Sequence, residues 1–336
     1  MHIDRLISLV EKTADPGLSA EWDQSGIQIA GTKKTIHTLA VTLDPSPAAV
    51  QEAIEHKADF ILTHHPLLLV PRLPKSNDQY TAVLRQVLSS GNWLYAAHTS
   101  LDIRTSGPVA WLAKALNLND IRPIEPIAPP KQIKFRLTGI KPEGALLQAL
   151  DTAPQQPVVS CTDNHLDIVV QKEQEHPIAL ILQQFAPGVQ VELTETAALS
   201  SPCGYGLMGG LNPALSWSRL QKQLHSVLGK RPYSSTGAHP EHIAQLAYCP
   251  GSGMSLASKA FALGADIFIS GDLKFHQAQE IESLGLTLDV GHFTLEEAMI
   301  AVWADELTTA LAGEIRVLFI PGRDPFQINS LTNAES

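Results

Sequence analysis

Apolar positions in residues 3–12 recur at helical spacing, with Ile3, Leu6, Ile7 and Val10 on one face. Residues 21–29 pass through a polar turn into a short strand. Trp22 and Asp23 in that turn read either as a core anchor or as part of a site wall. From residue 37 short apolar runs alternate with amphipathic stretches. They predict strands at 37–43, 59–63 and 93–97, and helices at 46–57, 78–89 and 109–116. This order belongs to a mostly parallel sheet with helices packed over its faces.

Residues 122–130 then carry four prolines in nine positions, the mark of a boundary or stiff connector. Beyond it the pattern is strand 134–138, helix 142–151, strands 158–161 and 166–171, helix 177–185 and strand 189–193. That βαββαβ order predicts a ferredoxin-like α+β domain inserted at 130–196, with Asp163-Asn164 turning its central hairpin. It divides the core into segments 1–129 and 197–336.

Cys203-Gly-Tyr-Gly-Leu-Met-Gly-Gly210 matches Gly-x-Gly-x-x-Gly in form. No apolar strand leads into it and no acidic residue follows at the spacing a ribose needs, so it reads as a flexible return loop. A helix is predicted at 215–228, followed by a loop of small and polar residues. The alternation resumes with strands at 243–248, 266–270, 286–290 and 315–319, and with helices ending near residue 263 and at 273–283 and 294–311. The glycine turn at 249–255 reads as an anion-binding turn or a plain tight one.

Composition narrows the function. Of the 336 residues 44% are hydrophobic and 17% charged, as in a soluble globular protein with material for more than one core. A net charge of −10 disfavours a nucleic-acid surface, though not a local basic site for a phosphorylated small molecule. Three widely spaced cysteines, Cys161, Cys203 and Cys249, suit neither a disulfide framework nor a Cys-x-x-Cys zinc site. No apolar run reaches the roughly 18 residues of a membrane span, and the N-terminus lacks a signal-peptide core. A cytoplasmic protein is expected.

Chemistry collects at three predicted strand ends. The first carries His64-His65, the second His98 and Asp102, the third His292 with Glu296 and Glu297 close behind. Open α/β sheets place their sites at the carboxyl ends of strands. Neighbouring side chains in an extended chain point to opposite faces, so adjacent histidines suit two nearby ions better than one. Thr294 and Glu297 fit a capping box, which frees Glu296 to turn towards His292; the reverse assignment of the two glutamates stays open. His64, His65, Asp102, His292 and Glu296 then form a mixed N/O set suited to two divalent ions of Zn, Mn, Fe or Ni, with Asp102 or Glu296 as a bridge. His98 suits a supporting or proton-shuttling role. Asp272, Lys274 and His276 follow another strand end and read equally as substrate or proton contacts and as solvated polar residues.

Five stretches together resemble the Nif-three-like dinuclear-metal family, often labelled GTP cyclohydrolase I type 2 homologs. They are Ala20-Glu-Trp-Asp-Gln-Ser-Gly26, Thr63-His-His-Pro66, Ala97-His-Thr-Ser-Leu-Asp102, Gly271-Asp-Leu-Lys-Phe-His276 and Asp289-Val-Gly-His-Phe-Thr-Leu-Glu296. Gln24-Ser25 departs from the family's Asn and small apolar residue, in a pocket wall and not at the metals. The resemblance places metal ligands on the same five residues and implies an inserted domain similar to PII or CutA proteins. It also implies a toroidal homohexamer and a hydrolase acting on a nucleotide-like substrate. In the cyclohydrolase version, hydroxide activated by the metals attacks C8 of guanine and formate leaves, with His98 or His276 moving protons. A phosphoesterase and a non-enzymatic metal-binding or adaptor protein are the alternatives.

Overall fold

The computed structural model describes residues 1–127, 131–139, 144–153, 157–162, 164–197, 202–229 and 232–327. Two compact units emerge: Met1–Ile127 with Pro202–Ser336, and Ala128–Ser201.

The first unit opens with α1 (Ile3–Thr13), β1 (Gly26–Ile29), β2 (Thr38–Thr42), α2 (Pro47–Glu55), β3 (Phe60–Thr63), α3 (Gln79–Ser90), β4 (Trp93–Ala96), α4 (Trp111–Ala115) and β5 (Asn119–Pro126). Local chemistry sets several helix ends. The Ser46 hydroxyl accepts from Ala49 at the start of α2, with Pro47 in its first turn. Asp78 and Thr81 form a capping box at the start of α3, and Gly91 ends it in the left-handed conformation.

The second unit runs β6 (Lys131–Thr138), α5 (Gly144–Asp151), β7 (Val158–Cys161), β8 (His165–Gln171), α6 (Glu175–Phe185) and β9 (Gln190–Ala197). Its four strands pair antiparallel in the order β7-β8-β6-β9. Alternate positions Ile133, Phe135 and Leu137 of β6 and Leu166, Ile168 and Val170 of β8 pack with Leu146, Leu150, Ile178 and Leu182 of the two helices. Asp163 and Pro142 lie outside the described residues.

The chain re-enters the first unit as β10 (Gly204–Leu215), α7 (Trp217–Leu228), β11 (Ser234–Thr236), β12 (Ile243–Tyr248), α8 (Ala257–Ala262), β13 (Ile267–Ser270), α9 (Phe275–Ile281), β14 (Leu286–Asp289), α10 (His292–Ala310) and β15 (Arg316–Phe319). The unit holds two sheets, ordered β1-β4-β3-β2-β15 and β11-β14-β13-β12-β10-β5. In the first, β4, β3, β2 and β15 run parallel and β1 is antiparallel at one edge; in the second, β14, β13 and β12 run parallel, with antiparallel β11 at one edge and antiparallel pairings through β10 and β5 at the other. The closing strand β15 returns to pair with β2 in the first sheet.

Period-two alternation sorts the side chains into layers. Leu39, Val41, Phe60 and Leu62 of the first sheet and Leu246, Tyr248, Ile267 and Ile269 of the second join one core with Met299, Ile300 and Trp303 of α10. The intervening Ala40 and Ile61 face α2 and α3, whereas Ala247 and Phe268 pack in a cluster with Ala257 and Ala260 of α8.

Three expectations change. Residues 203–210 are no loop, because Gly204–Gly210 lie in β10, paired with β12 and β5, and Cys203 bridges Arg104 just before it. Glycine there permits close backbone approach: a Cβ on Gly209 would stand 2.8 Å from the Asn119 carbonyl oxygen. The proline-rich stretch is strand β5 as far as Pro126, at a sheet edge where prolines that cannot donate are tolerated; Pro129 and Pro130 lie outside the described residues. Part of the small-residue loop after α7 forms β11, paired with β14.

Candidate metal centre

Six strand ends contribute to one cluster. Asp44 follows β2, His64 and His65 follow β3, and His98 and Asp102 follow β4. Gly251 follows β12, Asp272 follows β13, and His292 opens α10 just after β14. Both sheets therefore present the carboxyl ends of parallel strands to the same place.

Glu296 is the hub. Its Oε1 lies 3.6 Å from His64 Nε2, and its Oε2 lies 3.1 Å from His65 Nε2 and 2.9 Å from His292 Nε2. Asp102 Oδ1 stands 3.8 Å from His64 Nε2. His64 and His65 lie past the last ladder residue of β3, so the pleat no longer sends their rings to opposite faces. Their centroids are 5.0 Å apart. His98 sits 5.2 Å from His64 and 5.6 Å from His65, again by centroid. Two groups of nitrogen and oxygen atoms are close enough to hold a metal ion: His64, His65 and His98, and His65, His292 and Glu296.

Each of these four rings has its Nδ1 tied down. His64 Nδ1 donates to the Ala97 carbonyl oxygen at 2.9 Å. His65, His98 and His292 Nδ1 donate to Asp44, Asp23 and Asp272, each at 2.7 Å. An acceptor at Nδ1 selects the tautomer that leaves the Nε2 lone pair free, the arrangement that orients metal-ligating histidines. His64 Nε2 and Asp102 Oδ1 are buried and make no hydrogen bond among the described residues. Left in that state, each costs the desolvation of a buried polar atom. A divalent cation among these atoms removes the cost, so the residues present fit one.

The electrostatics agree. Burial works to lower the pKa of His65, but Asp44 and Glu296 outweigh it and push it up to about 10. The Glu296 hydrogen bond raises His292 to about 9 against its burial, with help from Asp272. Burial opposes a raised His64 too, and Asp102 and Glu296 prevail. Glu296 resists its own burial and stays well below the carboxylate range because three histidines face it. Asp102 is pushed up, chiefly by burial.

Among the expected residues, His64, His65, Asp102, His292 and Glu296 come together, and His98 joins them. His276 is exposed on α9, with its Nδ1 3.3 Å from Gln279 Oε1 and its ring against Phe275. The glutamates part company for a reason other than the expected capping box. Helix α10 begins at His292 with Gly291 as N-cap and no side-chain cap, so Thr294 lies inside its first turn. Glu297 instead accepts from the Gly322 N–H at 2.7 Å. His292 and Glu296 are then one turn apart on one helix face.

The glycine turn at 249–255 serves this centre without binding an anion through Gly253, whose N–H donates to the Ser270 hydroxyl. Gly251, with φ of +63°, lies against Glu296, and a Cβ there would collide with the Glu296 carboxylate. Asp23 proves to be a buried partner of His98, and Trp22 is no core anchor, being 60% exposed. Reading by sequence missed Asp44 as a participant. Its only signal was an acid just past a strand end.

Fold and site together define a mixed α/β protein whose strand ends carry a histidine–carboxylate cluster able to hold a metal ion. A family model described as Duf34/NIF3 (NGG1p interacting factor 3) matches residues 1–325, and the chain belongs to that family. It is similar to the GTP cyclohydrolase 1 type 2 homolog of Staphylococcus epidermidis, 25% identical over 334 residues, covering 88% of this chain and 90% of the relative. The Bacillus subtilis homolog of that name is 25% identical over 328 residues, covering 86% and 87%. In fold the chain resembles a Bacillus cereus protein related to NIF3, with a TM-score of 0.77, 20% identity and coverage of 98% and 99%. The Staphylococcus aureus protein SA1388 gives 0.73, 22%, 98% and 99%. Among the described residues no helix is long and apolar enough to cross a membrane.

Proposed function

We propose that the protein is a hydrolase working through two divalent metal ions, of Zn, Mn, Fe or Ni, on a nucleotide-like substrate. The observation that carries this reading is the set of four histidines, each held at Nδ1 with Nε2 left for the centre, around carboxylates with unmatched buried atoms. When bound, such ions supply Lewis acidity and lower the pKa of water. His64, His65, Asp102, His292 and Glu296 would hold them; Glu296 Oε1 faces His64 and its Oε2 faces His65 and His292. His98, keyed to Asp23, holds or moves a proton at Nε2. His276 keeps a proton-moving role only in a state that brings it to the centre.

Access favours catalysis over storage. The side chains of His65 and His292 are 23% and 33% exposed, so one side of the cluster meets solvent, whereas structural metal sites are closed. The nucleotide-like substrate is supported by the relatives' name, GTP cyclohydrolase 1 type 2 homolog. In the same reading residues 130–196 form an inserted ferredoxin-like domain, supported by the β7-β8-β6-β9 order, and the chain assembles in the cytoplasm as a homohexamer, which rests on resemblance.

Elemental analysis of purified protein, followed by incubation with GTP and a panel of phosphoesters, tests the proposal. Two metal equivalents per chain and opening of the guanine ring are expected. Phosphoester cleavage without ring opening makes the protein a phosphoesterase. Full metal content with no hydrolysis of either kind overturns the enzyme reading in favour of a metal-binding or adaptor role.

A further inference from the structure

The His98 end of the centre carries two aromatic residues that the ligand set leaves unexplained. Trp22 is 60% exposed, yet it stands on a rigid base. The side chain of the adjoining Asp23 is fully buried and takes hydrogen bonds from the Gln24 N–H, the Ser25 hydroxyl, and both the N–H and hydroxyl of Thr99, besides His98. Folding gains little from an indole left mostly in water, because the hydrophobic effect rewards only the area removed. Its ring meets His98 edge-on, with centroids 5.7 Å apart and planes at 76°. One histidine therefore separates the indole from His64 and His65. Tyr205 reaches the same place from β10. It is half-buried, with its phenol near Thr99 and within the influence of the Asp102 and Asp23 charges.

We propose that Trp22 is a stacking platform for a planar heteroaromatic ring of the substrate, with the Tyr205 hydroxyl placed to meet the edge of that ring. The inference rests on the hydrolase reading and narrows its substrate to molecules that carry such a ring. The geometry fits this role, since a ring lying on the exposed indole has its edge beside His98, next to the atoms that hold the metals. Stacking on an aromatic side chain tolerates any base, so it selects rings as a class, and Tyr205 adds a polar contact that a bare hydrocarbon ring cannot use.

Calorimetric titration of the metal-loaded protein with guanosine monophosphate and with ribose 5-phosphate tests the proposal, because the second probe lacks the ring. Trp22→Leu is expected to weaken guanosine monophosphate binding about tenfold or more, the size of one stacked base. Ribose 5-phosphate binding should change less than about twofold by the same arithmetic. Trp22→Phe, which keeps a ring, should recover most of the loss, and both variants should keep wild-type metal content. Equal losses for both probes, an unchanged guanosine monophosphate affinity, or no saturable binding of it to the wild type overturns the proposal. So does a change in assembly mass on Trp22→Leu, which would make Trp22 an interface anchor. Wild-type protein that takes up no metal yet binds the ring through Trp22 overturns the hydrolase reading alone.

Discussion

Asp167 in the second unit and Asp102 at the candidate centre are both largely withdrawn from water, and they are treated in opposite ways. Asp167 meets Arg136 through two bonds of 2.8 Å and Lys134 at 2.6 Å. The Arg136 bond leads the influences that hold its carboxyl well below the usual range. Asp102 has histidine as its near neighbour, makes no hydrogen bond at Oδ1 among the described residues, and is pushed up chiefly by burial. Asp167 is satisfied by permanent cations of the chain. Asp102 Oδ1 and His64 Nε2 have no such partner among the described residues. A buried polar group left unmatched costs stability, so such a group marks a ligand site better than a buried charge does.

The largest effect that would sharpen this contrast is at His64. His64→Ala should abolish metal uptake, measured by elemental analysis, with wild-type secondary structure retained; full metal content would break the ligand assignment. Asp44→Asn and Asp272→Asn remove only the group that keys the His65 and His292 rings, and each should weaken metal affinity about 10- to 100-fold in competition with a chelator. Unchanged affinity in both would reduce these Nδ1 contacts to packing. The two aspartates should then separate in metal-free thermal melts. Asp102→Asn removes an unmatched buried carboxylate and should be neutral or stabilising, whereas Asp167→Asn unpairs two partly exposed cations and should cost about 1 kcal/mol. Equal destabilisation would erase the distinction.

A pH series gives the smallest effect. His65 and His292 are raised from the ordinary 6.5 to about 10 and about 9 in the metal-free cluster. Their stabilising contribution is therefore complete below about pH 6.5 and is lost as pH rises through about 9 to 10. Metal binding requires neutral rings, so uptake should release protons and tighten as pH rises. Calorimetry in two buffers of different ionisation enthalpy reads that release, and identical heats would contradict it.

Much of the centre was legible in the sequence because its ligands sit at strand ends, and strand ends are marked by where apolar runs stop. His64, His98 and His292 could be placed that way with no knowledge of how the strands pair. The two glutamates show the limit. Glu296 was favoured on a capping box that does not exist, and what separates the pair is that Glu297 meets Gly322, 25 residues away. Segments with mixed signals failed for a similar reason. β5 reads as a connector because it holds two prolines, and β10 as a loop because it is rich in glycine; only their neighbours in the sheet make them strands.

By itself the chain determined which residues carry ligand chemistry and which stretches alternate as strand and helix, since both follow from local side-chain type and periodicity. Only tertiary structure decided that two separate sheets deliver those residues to one point, and that Asp23, Asp44 and Asp272 key the rings. It also left Trp22 in the open beside His98. Those outcomes depend on contacts between positions distant in sequence, and no local pattern encodes a distance across space.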